Sequence, residues 1–388
     1  MQILKKQTNI DFIGKRKPAI FISTVLNLII LVGIATWGFN FGVDFAGGTV
    51  VEVQFNKSLN AADVRKRAEA GGLPDVSVQS IGAANENSFL LRLGGVTQLT
   101  EESAVKAKEA LQALGSMKSI YPDLANGIIN LRSEQALSAE QISKAVEATG
   151  TGVEEVRELG AAQAGGFDYQ VVARGMADRI RAALTTGVQG EPDFEMRRVE
   201  YVGPQVGKQL RNRGVAALLY SMIAILIYVA FRFDFKFGPG ALLAMLHDVV
   251  MVAGFYLFSR AEFGLTAIAA LLTIVGYSVN DTIVIYDRIR EDMAKFKGKP
   301  FAEVINIAIN DTLGRTILTS GTTALSLIGL LIFGVGEIRD FAWAMLVGII
   351  VGTYSTIYIA SPLTIWLDER EAARQARQKT NLNEPKTA

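Results

Sequence analysis

An acidic side chain stands where the chain should tolerate few. In VGYSVNDTIVIYDRIRE (residues 275–291), Asp281 follows a run of apolar and small residues that reads as the body of a membrane helix. A carboxylate at that depth costs roughly 3 kcal/mol or more unless it is paired, protonated or wetted. A carboxyl group in that setting can carry a proton. Arg315, in GRTILTSGTT, opens the next apolar run. Asp281 lies about six residues, or roughly 9 Å at the helical rise, inside the charged link that joins the two runs, so acid and base can meet from one face of the membrane. A guanidinium keeps its charge and can hold or release a carboxylate according to its distance. The pair reads as a proton gate: Asp281 binds and releases H⁺, Arg315 sets when, and Asn280 and Thr282 flank the acid. The alternative is a static helix–helix ion pair, with Arg315 snorkelling toward the head groups.

Two more polar groups interrupt an apolar run. His247 and Asp248, in AMLHDVV, lie about nine residues into it, near mid-depth. They are a candidate second relay station, or they hydrogen-bond neighbouring backbone, Ser and Thr. The Tyr286–Asp287 pair invites comparison with intramembrane aspartyl proteases, but the Gly-x-Gly-Asp those enzymes carry on the next helix is missing. Asp287 beside Arg288 reads as a solvated helix end.

A membrane span needs about 20 mostly apolar residues. Six runs qualify, at residues 19–39, 214–231, 238–258, 265–286, 316–334 and 341–366, in a chain of 388 residues that is 50% hydrophobic and 20% charged. The first is longer than the apolar part of a cleavable signal and lacks an A-x-A-like site, so it is expected to stay as an anchor. Lys and Arg crowd one side: Lys5, Lys6, Lys15, Arg16 and Lys17, then RFDFK, DRIREDMAKFKGKP and DEREAARQARQK, against single arginines in SRAEF and GVGEIRD. By the positive-inside rule both termini are cytoplasmic, residues 1–18 and 367–388, and the long stretch between the first two spans is extracytoplasmic. A net charge of +1 gives no electrostatic case for nucleic acid. No cysteine and a single histidine leave no disulfide, thiolate site or histidine-rich metal site. Neither a metal nor a cofactor is expected, and no nucleophile set or phosphate loop marks an enzyme.

The outer stretch hides a duplication. LNAADVRKRAEAGG (59–72) lines up with LSAEQISKAVEATG (137–150) and VQSIGAA (78–84) with VRELGAA (156–162), both at an offset of 78 residues. A fixed internal period implies a repeated supersecondary unit. GTVVEVQF alternates as a strand should, residues 60–70 and 100–114 read as helices capped by Asn60 and Thr100, and DVSVQSI and SFLLRL read as strands joined by the turn GAANEN. The second copy repeats that order. The expected fold is an α-helical polytopic membrane protein of six transmembrane helices, with two tandem ferredoxin-like βαββαβ domains, 42–122 and 123–203, before the block of spans at 204–366. Small residues recur in the later spans, and Gly348 and Gly352 form a GxxxG pair expected to serve packing inside the bundle.

FGVDFAGGT (41–49), VGPQVGKQL (202–210), LHDVV, VGYSVNDTIVIYDRIRE, RTILTSGTT and IRDFAWAMLVGIIVGTYSTIYIASPL (338–363), in that order, resemble SecF-type proteins of the SecD/SecF family. The resemblance implies half of an RND-type (resistance–nodulation–division) transporter in the bacterial inner membrane. SecD would supply the other six spans, and the pair would use the proton motive force to promote export of an unfolded polypeptide through SecYEG after the SecA-driven step. YajC is a further implied partner. In that family an Asp of an Asn-Asp-Thr motif and an Arg of an Arg-Thr-x-x-Thr-Ser motif are implicated in proton passage; here they match Asp281 and Arg315. Family members usually carry one outer ferredoxin-like domain, and two are expected here. The competing reading is half of a proton-coupled RND exporter of small molecules.

The orientation is checked by cysteine labelling, which no native thiol confuses. A cysteine replacing Asn87 should react with an impermeant thiol reagent in intact cells, and one replacing Gly298 should not. The reverse pattern would overturn the orientation and the location of the gate.

Overall fold

The structure, a computed structural model, describes residues 8–73, 76–81, 87–94, 99–124, 126–161, 165–186 and 192–383. All but Asn87 of the turn expected at 82–87, together with Lys5, Lys6 and the last five residues of the tail, lie outside the described residues. The chain divides into two units, Met1–Asn40 with Arg213–Ala388, and Phe41–Asn212. The first long helix, α1 (Arg16–Trp37), belongs to the former.

The Phe41–Asn212 unit opens with one short turn of helix, α2 (Val43–Ala46), and then runs β1 (Gly48–Phe55), α3 (Ala61–Ala70), β2 (Ser77–Ile81), β3 (Ser88–Leu93), α4 (Glu101–Ala113) and β4 (Met117–Asp123). The second copy follows as β5 (Ile128–Ser133), α5 (Ala139–Glu147), β6 (Val153–Ala161), β7 (Phe167–Ala173), α6 (Met176–Thr185) and β8 (Phe194–Val202). The βαββαβ order therefore occurs twice, as the repeat predicts. Asn60, Thr100 and Ser138 each close a capping box on α3, α4 and α5, an arrangement worth about 1 kcal/mol per helix.

The pairing of the strands does not follow the order of the copies. One antiparallel sheet runs β2-β3-β1-β8 and the other β4-β5-β7-β6. Both have the ferredoxin-like arrangement, but each takes its closing strand from the other copy. A cut between residues 122 and 123, where the sequence reading divides the domains, separates β8 from the sheet it closes and assigns β4 to the wrong one. The exchanged helices follow their strands. Ile180, Ala183 and Leu184 of α6 share a buried core with Val51, Val53 and Phe55 of β1 and Val64 and Ala68 of α3. Ala107 and Leu111 of α4 pack with Ile142 and Val146 of α5 over Ile129, Leu131 and Val171.

One side chain stitches the exchange together. Arg67 of α3 donates to the Leu184 carbonyl at 2.6 Å and forks onto the Asp193 carboxylate at 2.7 and 3.1 Å, with its guanidinium over the Phe55 and Phe194 rings. The hydrogen bonds and charge of Arg67 hold the Asp193 carboxyl below the usual carboxylate range.

In the other unit, α7 (Pro204–Arg232), α8 (Gly238–Ser259), α9 (Leu265–Lys295), α10 (Phe301–Phe333) and α11 (Glu337–Ser355) lead through a π-helical turn (Thr356–Ala360) into α12 (Ser361–Asn383). Six spans are long and apolar enough to cross a membrane, the last running Glu337–Gln375 through that turn. Four of these helices overrun the apolar stretches that betray them by nine residues or more: α7 begins at Pro204 instead of 214, α9 continues past 286 to Lys295, α10 begins at Phe301 instead of 316, and α12 continues past 366 to Asn383. Hydropathy marks only the part that meets lipid. The overrun of α9 and α10 is held by polar contacts, with Arg288 bridging to Asp311 at 2.5 Å. The π-turn also has a local cause. Pro362 offers no N–H to the turn before it and crowds the Tyr358 carbonyl four residues back, and the Ser361 backbone N–H and hydroxyl both donate to the Thr356 carbonyl, five residues back, the hydroxyl at 2.9 Å.

α8, α9 and α11 form the interior of this unit, while α1, α7 and α10 leave most of their surface exposed. The GxxxG pair serves the interior. A Cβ on Gly348 would come within 2.4 Å of Ile274, and one on Gly352 within 3.1 Å of Ser278, both on α9.

The exchange predicts how fragments behave. Residues 42–203 expressed alone should be soluble, with a mixed α/β circular dichroism spectrum and a cooperative urea transition. Residues 42–122 lack β8 and α6, which leaves the Val51, Val53 and Phe55 face half covered, and that fragment should aggregate or show no cooperative transition. A cooperative transition for 42–122 would contradict the exchanged pairing.

Candidate functional site

The polar groups of the spans gather where α8, α9 and α11 meet. Asp248 of α8 is fully buried at 0% exposure. Its Oδ1 faces His247 Nδ1 at 2.9 Å, and its Oδ2 accepts from the Ser278 hydroxyl of α9 at 2.5 Å and the Ser355 hydroxyl of α11 at 2.8 Å. The close approach that Gly352 allows brings Ser278 and Ser355 together around it. Three donors meet most of what a carboxylate demands of its surroundings.

Asp281 lies one turn further along α9 and is 4% exposed. Its hydrogen-bond donor is Thr353 Oγ1 of α11, at a long 3.5 Å from Oδ2. From Thr353 the hydroxyls continue to Ser320 Oγ of α10 at 3.2 Å and on to the Tyr277 hydroxyl at 3.4 Å. Thr282 is buried, shares a hydrogen bond with Thr356 Oγ1 at 3.0 Å and donates to the Ser278 carbonyl at 3.2 Å, tying the Asp281 turn to the π-turn. The two acids are therefore held differently. Asp248 sits in a cage of donors, whereas Asp281 has one long contact and keeps the capacity to take up a proton or a cation.

The two remaining residues of the expected gate face outward. Asn280 and Arg315 are exposed on α9 and α10. Among the described residues no hydrogen bond or ion pair joins Arg315 to Asp281, so the expected contact is not made there. Asp287 is exposed and ion-paired with Arg232 at 3.0 Å, which fits a helix end and not a protease dyad. Tyr286 is buried and shares a hydrogen bond with Thr364 at 3.3 Å. Among the described residues no group of three or more His, Asp or Glu is placed to hold a metal ion.

Sequence reasoning missed Ser278, Ser355, Thr353, Thr356 and Ser320. All but Ser278 sit in stretches read only as small packing residues, and Ser278 sits in the stretch read for Asp281. The available signal was their spacing: Gly348, Gly352, Ser355 and Thr356 recur at helical intervals on one face, so the face that packs also carries the hydroxyls.

The different holding of the two acids predicts different costs. Asp248→Ala orphans the Ser278 and Ser355 hydroxyls and His247 Nδ1, at roughly 1–3 kcal/mol per buried group left unsatisfied, and should lower the melting temperature of the purified protein sharply. Asp281→Asn loses one long hydrogen bond and should melt within a few degrees of wild type. Equal destabilisation would remove the distinction.

Known proteins with this sequence and fold point one way. A family model described as the C-terminal region of the protein export membrane proteins SecD and SecF matches residues 182–370, and a model for the SecD/SecF GG motif matches residues 32–58. The chain is 40% identical to the protein translocase subunit SecF of Magnetococcus marinus, over 98% of this chain and 100% of that one. It is 34% identical to the corresponding subunit of Rickettsia rickettsii, over 95% and 96%. Among solved structures it resembles the crystal structure of SecDF, a translocon-associated membrane protein from Thermus thermophilus, with a TM-score of 0.61 and 29% identity, covering 95% of this chain and 40% of that one. A structure of SecDF in a super-membrane-facing form gives a TM-score of 0.59 at 30% identity, with the same 40% of the longer chain matched.

Proposed function

The chain belongs to the SecD/SecF family of protein-export membrane proteins, and on that premise we propose that it couples proton movement to protein export. It is a multi-pass translocase subunit, a transport component and not an enzyme. In this reading it pairs with a SecD chain that supplies the other half of an RND-type bundle, as the 40% coverage of SecDF suggests. The pair acts on polypeptide emerging from SecYEG after the SecA-driven step, with YajC as an accessory, both termini in the cytoplasm and the two sheets in the periplasm.

The observation that carries the proposal is the under-donated carboxyl of Asp281. Charge buried in a bundle is held by donors, held by a counter-ion or removed by a proton. Asp248 takes the first course. Asp281 has Arg315 on the neighbouring helix, exposed and with no side-chain hydrogen bond or ion pair among the described residues, and a line of hydroxyls leading away through Thr353 and Ser320. A movement of α10, driven from the partner half, brings Arg315 toward Asp281 or away and so releases or retains the proton. Asn280 is exposed on the same turn. Thr282 holds the turn in place. His247 and Asp248 form the anchored end of the network and serve the relay by fixing α8 against α9 and α11.

Asp281→Asn keeps the shape of the side chain but cannot carry the proton. Reconstituted with SecD, SecYEG and SecA, this variant should lose gradient-driven export by about 100-fold, the scale of removing an essential proton-transfer group, with recovery of the complex unchanged. Asp281→Glu should retain part of the activity. Arg315→Lys keeps charge without the planar fork and should slow the gradient-driven step. Normal export by Asp281→Asn, with only the yield of complex reduced, would make Asp281 a structural residue and overturn the proposal.

A further inference from the structure

A groove of about 810 Å³ runs along α1 between α8 and the start of α12, within the size range of about 300–1,000 Å³ typical of small-ligand sites. Its walls are apolar, including Leu28 and Leu31 of α1, Leu243 and Leu246 of α8, and Leu363. Several of these side chains are exposed, Leu28 at 57% and Leu243 at 46%. One end is polar and basic. Arg16 and Lys17 line it, with Glu369 as the one acid, and Trp366 stands there with the Arg370 guanidinium stacked on its ring at 3.9 Å. That end is also the N-terminus of α1, the positive end of a 22-residue helix.

Deeper in, the groove passes His247, which is 6% exposed, with Nδ1 engaged by Asp248 and a buried Nε2 that has no partner among the described residues. His247 lines this groove and also a second cleft of about 480 Å³ on the other side of α1, whose lining includes Lys15. Nearby polar groups are satisfied. Thr24 donates to the Ile20 carbonyl, Asn27 to the Ser23 carbonyl, and Ser23 shares a hydrogen bond with Tyr354. The Nε2 atom itself is buried beneath the lining.

We propose that this groove is a binding site for an anionic phospholipid. The head-group phosphate sits against Arg16, Lys17 and the first turn of α1, and one acyl chain lies along the leucine wall and passes His247 deeper in. A basic end between transmembrane helices suits an anionic head group, Trp366 suits the interfacial depth, and leucine walls suit an acyl chain but not a free phosphate or nucleotide. The site goes beyond the proton-coupling reading and does not depend on it, since it needs only that the bundle lies in a bilayer.

Trp366 is a reporter already in place. In the full chain with its SecD partner, Trp37→Phe and Trp343→Phe leave it as the only tryptophan of this subunit; the partner's tryptophans are likewise replaced by phenylalanine. The complex is placed in phosphatidylcholine vesicles that contain brominated phosphatidylglycerol, or the same fraction of brominated phosphatidylcholine. Phosphatidylglycerol should quench Trp366 at a fraction roughly tenfold or more lower, the scale of two basic side chains acting on one anionic head group. Arg16→Gln with Lys17→Gln should abolish that preference, and Glu369→Gln should strengthen it, an opposite movement that a folding defect cannot produce. Equal quenching by the two lipids, a preference untouched by the charge changes, or no quenching by either lipid because the partner chain covers the groove would each overturn the proposal.

Discussion

The close approach of α11 to α9 governs where the two buried acids meet their hydroxyl donors. Two glycines, one turn apart, let the helices touch at Ile274 and Ser278. At that separation short side chains suffice to reach across. Ser355 meets Asp248, Thr353 reaches toward Asp281, and Thr356 meets Thr282. With larger residues at 348 and 352 the helices would stand apart, and the hydroxyls would fall short of acids that the hydrocarbon surroundings do not solvate. Packing and chemistry are thus the same contact here. In the π-turn that follows, the Thr356 hydroxyl donates to the Gly352 carbonyl and the Ser361 hydroxyl to the Thr356 carbonyl, beside the backbone bonds those carbonyls already accept.

The N-terminal segment reaches the same assembly from another direction. Asn306 and Asn310, one turn apart on α10, read the backbone of residues 8–13 as a strand partner would. Asn310 accepts from the Ile10 amide and donates to its carbonyl, both at 2.9 Å, and Asn306 accepts from the Phe12 amide at 2.9 Å. Phe12 and Ile13 are buried beneath this clasp with Phe237, Tyr286 and Ile309. The helix that carries Arg315 is therefore fixed at its N-terminal end while its middle remains largely exposed. Any displacement of Arg315 pivots about that end.

What could be read from the chain alone divides along physical lines. The six spans and Asp281 were legible because burying charge in an apolar run is expensive and leaves a visible exception. The βαββαβ order was legible because caps, alternation and the repeat agree. The exchange of closing strands was not, since two copies of one unit offer equivalent partners and local pattern cannot choose between them. Arg67, which bridges to Leu184 and Asp193, records that choice, but an arginine on an amphipathic helix gives no sign of it beforehand. The hydroxyls around the acids were hidden for a different reason. Ser and Thr are common in packed membrane helices, and only the geometry separates those that meet a carboxylate from those that bond their own helix. Arg315 was named from its motif, yet its separation from Asp281 depends on how α10 lies, which spacing does not encode.

The exchange also fixes how the outer region bears load. Its two ends lead out through neighbouring antiparallel strands, with Gly48 opposite Val202 and Thr49 opposite Tyr201. A pull between those ends acts on the β1–β8 ladder as a zipper, opening one pair at a time from the tethered end, whereas strands loaded in shear would have to yield together. The sheet made of β4 to β7 is reached from that ladder only through β3 and α6, so tension must peel the first sheet before it arrives there. The outer region is a soft mechanical element in series with a protected one.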